Sequence, residues 1–246
     1  MSSIIEAFDS TMREAFAGMK LFVWALPICF AIATVKDFGY IPWVVIGFFL
    51  LGFITTLANN VIVKNPIIVP GINIFEIIIN AILSLIALLP SAIIMGAICW
   101  GANMLQLPNE VWNDTLHIMI WLFALAFPLT ALAIFIRRKN ILEVFNLKKF
   151  SDGYGEVLLA SSFFFVQATI VSLVIIGFLA YMFYLFIGFD NIFWTYLLSV
   201  VAMFFVLLGA NIIAQISDEI YTFPEKEAAK KKEKEAMDAL TKHAQE

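Results

Sequence analysis

Charge is what this sequence has least of. Charged residues fill 14% of the 246 positions, where soluble globular chains carry about a quarter. Those between Leu21 and Ile216 are confined to short breaks between apolar runs. A water-soluble domain is excluded by that composition, and so is reading partners from the net charge of −4. Cysteine is almost absent too. Cys29 and Cys99 both sit inside apolar runs, where a thiol packs as a small hydrophobe, so no disulfide is expected. The two histidines, His117 and His243, have no cysteine, histidine or carboxylate at metal-ligand spacing. There is no Gly-rich phosphate loop, no nucleophile elbow, and no Ser-His or Cys-His pair that the apolar spans would bring to one depth. No catalytic residue, metal, cofactor or nucleic-acid partner is therefore expected. Met1 to Lys20 lacks a basic start and a small-residue cleavage pattern, so no cleaved signal peptide is expected either.

What is present is oil. Hydrophobic residues make up 62% of the chain. They come in runs of about twenty, long enough at about 1.5 Å per residue to cross a hydrocarbon core roughly 30 Å thick. Breaks at Pro, Gly, Asn and charge place helices at Leu21–Val35, Ile41–Val63, Phe75–Leu105, Thr115–Ile136, Val157–Ile187 and Ile192–Ile216. The first is short and is expected to extend from Ala17 to near Asp37. The fold expected is all-α, a polytopic membrane bundle of about six transmembrane helices. Residues 1–20 form an amphipathic interfacial segment, 21–216 the membrane domain and 217–246 a charged tail. Pro27, Pro90 and Pro128 fall inside three of the runs. Kinked packing is the plain reading and gating hinges the sharper one.

Basic residues set the orientation, because Lys and Arg near helix ends are retained in the cytoplasm. Six crossings from an inside N-terminus put Arg13, Lys20, Lys64, Arg137, Arg138, Lys139, Lys148, Lys149 and the tail lysines inside, leaving only Lys36 outside. Trp43, Trp100, Trp112, Trp121 and Trp194 fall toward the outer face, as an interfacial belt does. A prokaryotic plasma membrane with both termini cytoplasmic is the expected location.

The second, fourth and sixth helices look alike. Phe48 to Asn65 (FFLLGFITTLANNVIVKN) aligns without gaps to Phe123 to Asn140 (FALAFPLTALAIFIRRKN), and Leu207-Leu208-Gly209 echoes Leu50-Leu51-Gly52. Ahead of two hairpins stand Ile4-Ile5-Glu6-Ala7-Phe8-Asp9 and Ile141-Leu142-Glu143-Val144-Phe145-Asn146, with the apolar spacing of a helix lying in the headgroup plane. The inferred unit is a cytoplasmic interfacial helix followed by a helical hairpin, repeated three times in one orientation. The copy at Asn65 to Phe75 is broken by Pro and Gly.

The stretch Ala58 to Ile93 (ANNVIVKNPIIVPGINIFEIIINAILSLIALLPSAI) has an Asn-rich helix end, an isolated Pro and a Phe-led helix interrupted by Pro. With Pro128, the Ile141–Asn146 motif and the ending Asn211-Ile212-Ile213-Ala214-Gln215, it resembles the prokaryotic multi-pass membrane family known only as domain of unknown function 4013. The resemblance covers nearly the whole chain except the tail. It implies architecture without a reaction, cofactor or catalytic residue.

The span interiors hold almost no ionisable group, which counts against an ion-coupled pump. Glu76 and Glu156 are expected to open helices three and five as anions at helix N-termini. The interior polar side chains are amides and hydroxyls, and interhelical hydrogen bonding is their ordinary role. The sharper reading is a polar cavity lined by Asn80, Gln167 and Asn211. The leading expectation is a non-enzymatic scaffold, assembly factor or accessory subunit whose partners are membrane lipids and other membrane proteins. The alternative is a transporter or channel for an uncharged or lipid-like solute. A third class, a lipid-acting enzyme, would cluster Glu76, Asp152 and Glu156 around one cleft.

Overall fold

The computed structural model describes residues 14, 17–71, 73–105, 110–186 and 192–243. Among them the chain is all helix, with no strand: α1 (Ala17–Phe38), α2 (Ile41–Ile62), α3 (Ile74–Asn103), α4 (Glu110–Arg138), the single turn α5 (Ile141–Val144), α6 (Leu147–Phe186) and α7 (Ile192–His243). All but α5 are long and apolar enough to span a bilayer, so this is a multi-pass integral membrane protein. The Ile4–Asp9 motif lies outside the described residues.

The helices form a pinwheel. Helices α2, α4 and α7 pack on one another at the centre, and each gap between two of them holds one outer helix. Helix α3 fills the gap between α2 and α4, α6 that between α4 and α7, and α1 that between α7 and α2. Each outer helix thus packs on the inner helix of its own hairpin and on that of the neighbouring hairpin, closing a ring of three. The inner helices are the three whose sequences align. Ala58, Leu132 and Ala214, within one residue of each other in that alignment, meet with Ile136 in one buried aliphatic cluster.

The repeat extends to main-chain detail. Lys64 and Lys139 occupy the same aligned position and are the non-glycine residues with positive φ, 54° and 50°, among those described. Each ends an inner helix by stepping into the left-handed region. The following Asn then repeats the same turn: Asn65 Oδ1 accepts from Ile67 N at 2.9 Å, and Asn140 Oδ1 accepts from Leu142 N at 3.0 Å. Both bonds are local Asx turns that redirect the chain along the bundle end. In the third copy Tyr221 stands at that position and the helix continues.

Several boundaries differ from the sequence expectation. Helix α6 begins at Leu147, ten residues before Val157, because Asn146 Oδ1 accepts from Lys149 N and starts the helix there. Glu156 is therefore well inside α6 and is not a group at its N-terminus. Helix α4 begins at Glu110 rather than Thr115. Helix α7 does not stop at Ile216: Ser217 and Ile220 are buried, and helix continues to His243. The boundary between membrane domain and tail therefore carries no break in structure. Pro27, Pro90 and Pro128 lie within helices that continue past them. Ile141–Val144 does form a short helix, capped by Asn140, whereas residues 65–71 are irregular.

Candidate functional site

A polar seam runs between α2 and α3. Asn80 is buried and its Nδ2 donates to Thr56 Oγ1 at 2.7 Å, while Thr56 in turn donates to the Gly52 carbonyl at 2.8 Å. Deeper along the pair, Thr55 and Ser84 share a hydrogen bond of 2.7 Å, and Thr55 also reaches the Leu51 carbonyl. In a bilayer these side chains have no water to turn to, so they bond each other and the helix backbone. The seam ends in a small cavity of about 190 Å³ lined by Thr56, Asn60, Asn65, Asn73 and Glu76 together with Ile67, Pro70, Gly71 and Ile77. Glu76 there pairs with Asn73 in a reciprocal helix cap: Asn73 Oδ1 accepts from Glu76 N, and Asn73 Nδ2 donates to the Glu76 carboxylate.

The same end of the bundle carries two ionic clamps. Glu14, almost fully buried, pairs with Lys20, and together they hold both polar groups of one peptide: Val69 N donates to Glu14 at 2.6 Å, and Lys20 donates to the Val69 carbonyl at 2.9 Å. Trp24 adds a bond to the Pro70 carbonyl. The start of the first hairpin is thus tied to the segment before the second. At the third hairpin, Glu143 accepts from Arg138 and Lys149, both at 2.9 Å, and from the Tyr221 hydroxyl. Arg137 pairs with Asp218, and all three cations lie against the Tyr221 ring. Burial pushes the Glu143 carboxyl up, but the hydrogen bonds from Tyr221, Lys149 and Arg138 together outweigh it and hold the group below the usual carboxylate range. These clamps join α4, α5, α6 and α7, a structural duty that occupies the charges.

The larger recesses open sideways. A groove of about 770 Å³ lies over α2 between α1 and the start of α3, and apart from the Trp24 indole N–H its walls are apolar: Val23, Leu26, Pro27, Phe30, Phe38, Ile41, Val45, Phe49, Ile74 and Ile77 are among them. A second, of about 630 Å³, lies over α4, where Asp114, His117 and Trp121 face Met95 of α3 and Phe165 of α6. Each recess lies on an inner helix between two outer helices, and of the α4 residues only His117 and Trp121 align with residues of the first groove, Pro42 and Ile46, so the two are related by the repeat in part. His117 sits between two main-chain carbonyls, Nδ1 at 2.8 Å from that of Asn113 and Nε2 at 3.1 Å from that of Ala102, and each tautomer of the neutral ring donates to one of them. A smaller apolar void of about 270 Å³ lies among α4, α6 and α7 and reaches Ile54 of α2.

The polar cavity expected from Asn80, Gln167 and Asn211 does not form. Asn80 is engaged in the seam between α2 and α3. Asn211 is buried on α7, where its Oδ1 accepts from Gln215 at 3.0 Å, and α3 and α7 do not pack side by side. Gln167 is exposed on α6. None of the three lines any of the four recesses above. The cleft sought from Glu76, Asp152 and Glu156 is also not assembled, since Asp152 and Glu156 lie on α6 and that helix does not pack along α3. What the sequence reading missed is Glu14 and Glu143 as organisers. The signal available was the Glu143 motif flanked by Arg138 and Lys149, a carboxylate between two cations at one bundle end. The chain matches no family model, no curated protein and no solved structure.

Proposed function

We propose that this chain is a non-enzymatic membrane scaffold, an assembly factor or accessory subunit, in a prokaryotic plasma membrane with both termini in the cytoplasm. The observation that carries the reading is the apolar groove over α2, open to the bilayer along its length. Helices of a partner protein fit such a surface because packing between helices in lipid depends on shape rather than on a hydrophobic driving force. The aliphatic contact of Ala58, Leu132, Ile136 and Ala214 on the axis supports the same view, since a solute pathway along the axis needs polar lining there. Orientation is supported by Lys64, Arg137, Arg138, Lys139, Lys148 and Lys149 standing at one end of the helices. The resemblance to domain of unknown function 4013 is part of this proposal and adds architecture only.

The test is a photo-cross-linking residue at Phe30 or Val45, both exposed in the groove, in cells expressing the chain at native level. A discrete protein adduct at these sites, absent at Ile93 on the outer face of α3, is the expected result. Adducts to lipid alone would overturn the scaffold reading and favour the second one, movement of a lipid-like solute, which the apolar walls of the same groove also suit. A reporter fused after Glu246 is expected to be reachable only from the cytoplasm.

A further inference from the structure

Val157 of α6 is buried and Leu158 and Phe164 pack against the cluster shared with α4 and α7, but among the described side chains beyond Phe165, as far as Phe178, none enters a core cluster. None of its most apolar stretch is buried, against 28–44% of the equivalent stretches in the other five spans. The freed half exposes Val166, Ile170, Val171, Val174 and Phe178. Apolar exposure alone would be satisfied by lipid.

Gln167 changes that conclusion. It is exposed, and among the described residues its amide has no hydrogen-bond partner. It lies at the middle of α6, twenty residues after Leu147 and nineteen before Phe186, far from both ends of the helix. The buried amides of the other spans, Asn80 and Asn211, are bonded within the bundle. A primary amide left facing hydrocarbon loses both its donors and its acceptor to a medium that can replace neither.

We infer that the free half of α6 is the contact surface for a second copy of this chain, with Gln167 of each copy bonded to Gln167 of the other. An amide both donates and accepts, so it is complementary to itself. Two copies with the same orientation in the membrane, related by a twofold axis along its normal, bring residue 167 to the same depth on both sides without further adjustment. Ile170, Val171 and Val174, one and two turns further along the helix, supply the apolar contact beyond the bonded pair. The inference rests on the membrane span and is independent of the scaffold reading.

The test uses the full chain. Gln167→Cys is expected to give an oxidised homodimer in native membranes, while Ile86→Cys, exposed near the middle of α3, gives none. In lipid vesicles, subunit counting across a range of protein-to-lipid ratios yields the dissociation constant. Gln167→Leu removes two reciprocal bonds and is expected to raise it about eightfold, and Gln167→Asn is expected to retain most of the association. An unchanged constant in Gln167→Leu overturns the inference, as does a wild-type chain that counts as single subunits at every density. Cross-linking from Gln167→Cys to a different protein in place of a second copy overturns it equally.

Discussion

Gly52 of α2 lies against the main chain of α3 at Ile77, so closely that a Cβ at position 52 would overlap the Ile77 carbonyl oxygen and crowd the Ala81 methyl. Two backbones can approach like this in lipid only where a small residue allows it. The same approach brings Thr56 within reach of Asn80. Gly52→Ala is expected to lower stability by about 1–3 kcal/mol, as overpacking against an immovable group does. Gly47→Ala and Gly96→Ala, where nothing lies within 4 Å of the added carbon, are expected to be neutral or slightly stabilising. Thermal unfolding in one detergent compares the three, and equal midpoints would remove the claim.

The seam itself is testable as a coupling. Asn80→Leu leaves Thr56 bonded to the Gly52 carbonyl, so the loss is expected to be small, about 0.6–1.7 kcal/mol. Combined with Thr56→Val the cost should be less than the sum of the single changes, because either one alone breaks the bond between them. Strict additivity in that cycle would show that the two side chains do not depend on each other.

How much of this was readable in advance depends on what kind of information each feature needs. The pairing of Phe48–Asn65 with Phe123–Asn140 is written in side chains, and the structure sets these paired helices at the centre of the bundle with matching turns at Lys64 and Lys139. The pinwheel is not so written, since lipid and Leu are equally apolar and the choice of gap for α1, α3 and α6 is made by shape. Facing was also hidden. Asn80, Gln167 and Asn211 all stand inside apolar runs, but a helix apolar all round has too weak a periodicity to show which way each residue points. The extension of α6 was missed because Lys148 to Glu156 looks like a charged loop, although Asn146 supplied a helix start.

Positive φ at Lys64 and Lys139 costs each residue the clash between its Cβ and the following carbonyl oxygen. Lys64→Gly and Lys139→Gly are each expected to stabilise the protein by about 0.5–1 kcal/mol after the greater freedom of Gly in the unfolded chain is set against that relief. Lys64→Val, with a branched Cβ, is expected to destabilise. Opposite signs for the two Gly variants would show that the turns are not equivalent, and the repeat would then stop short of the main chain.

Acid should loosen the junction of α4, α5, α6 and α7. The Glu143 carboxyl, bonded to Arg138, Lys149 and Tyr221, is held below its ordinary value in the folded protein, while an unfolded glutamate titrates near about 4.3. Folding therefore favours the carboxylate. Its contribution is complete above about pH 4.3 and drains away as the pH falls through the lower folded value, where the protonated group can no longer hold two cations. Glu143→Gln should be less stable than the wild type at neutral pH and should lack this share of the acid-side loss, so the two stability curves converge as pH falls. Curves that stay parallel down to the lowest pH at which the chain remains folded would mean that Glu143 is not the group responsible, and that the cations are held by the Tyr221 ring and Asp218 instead.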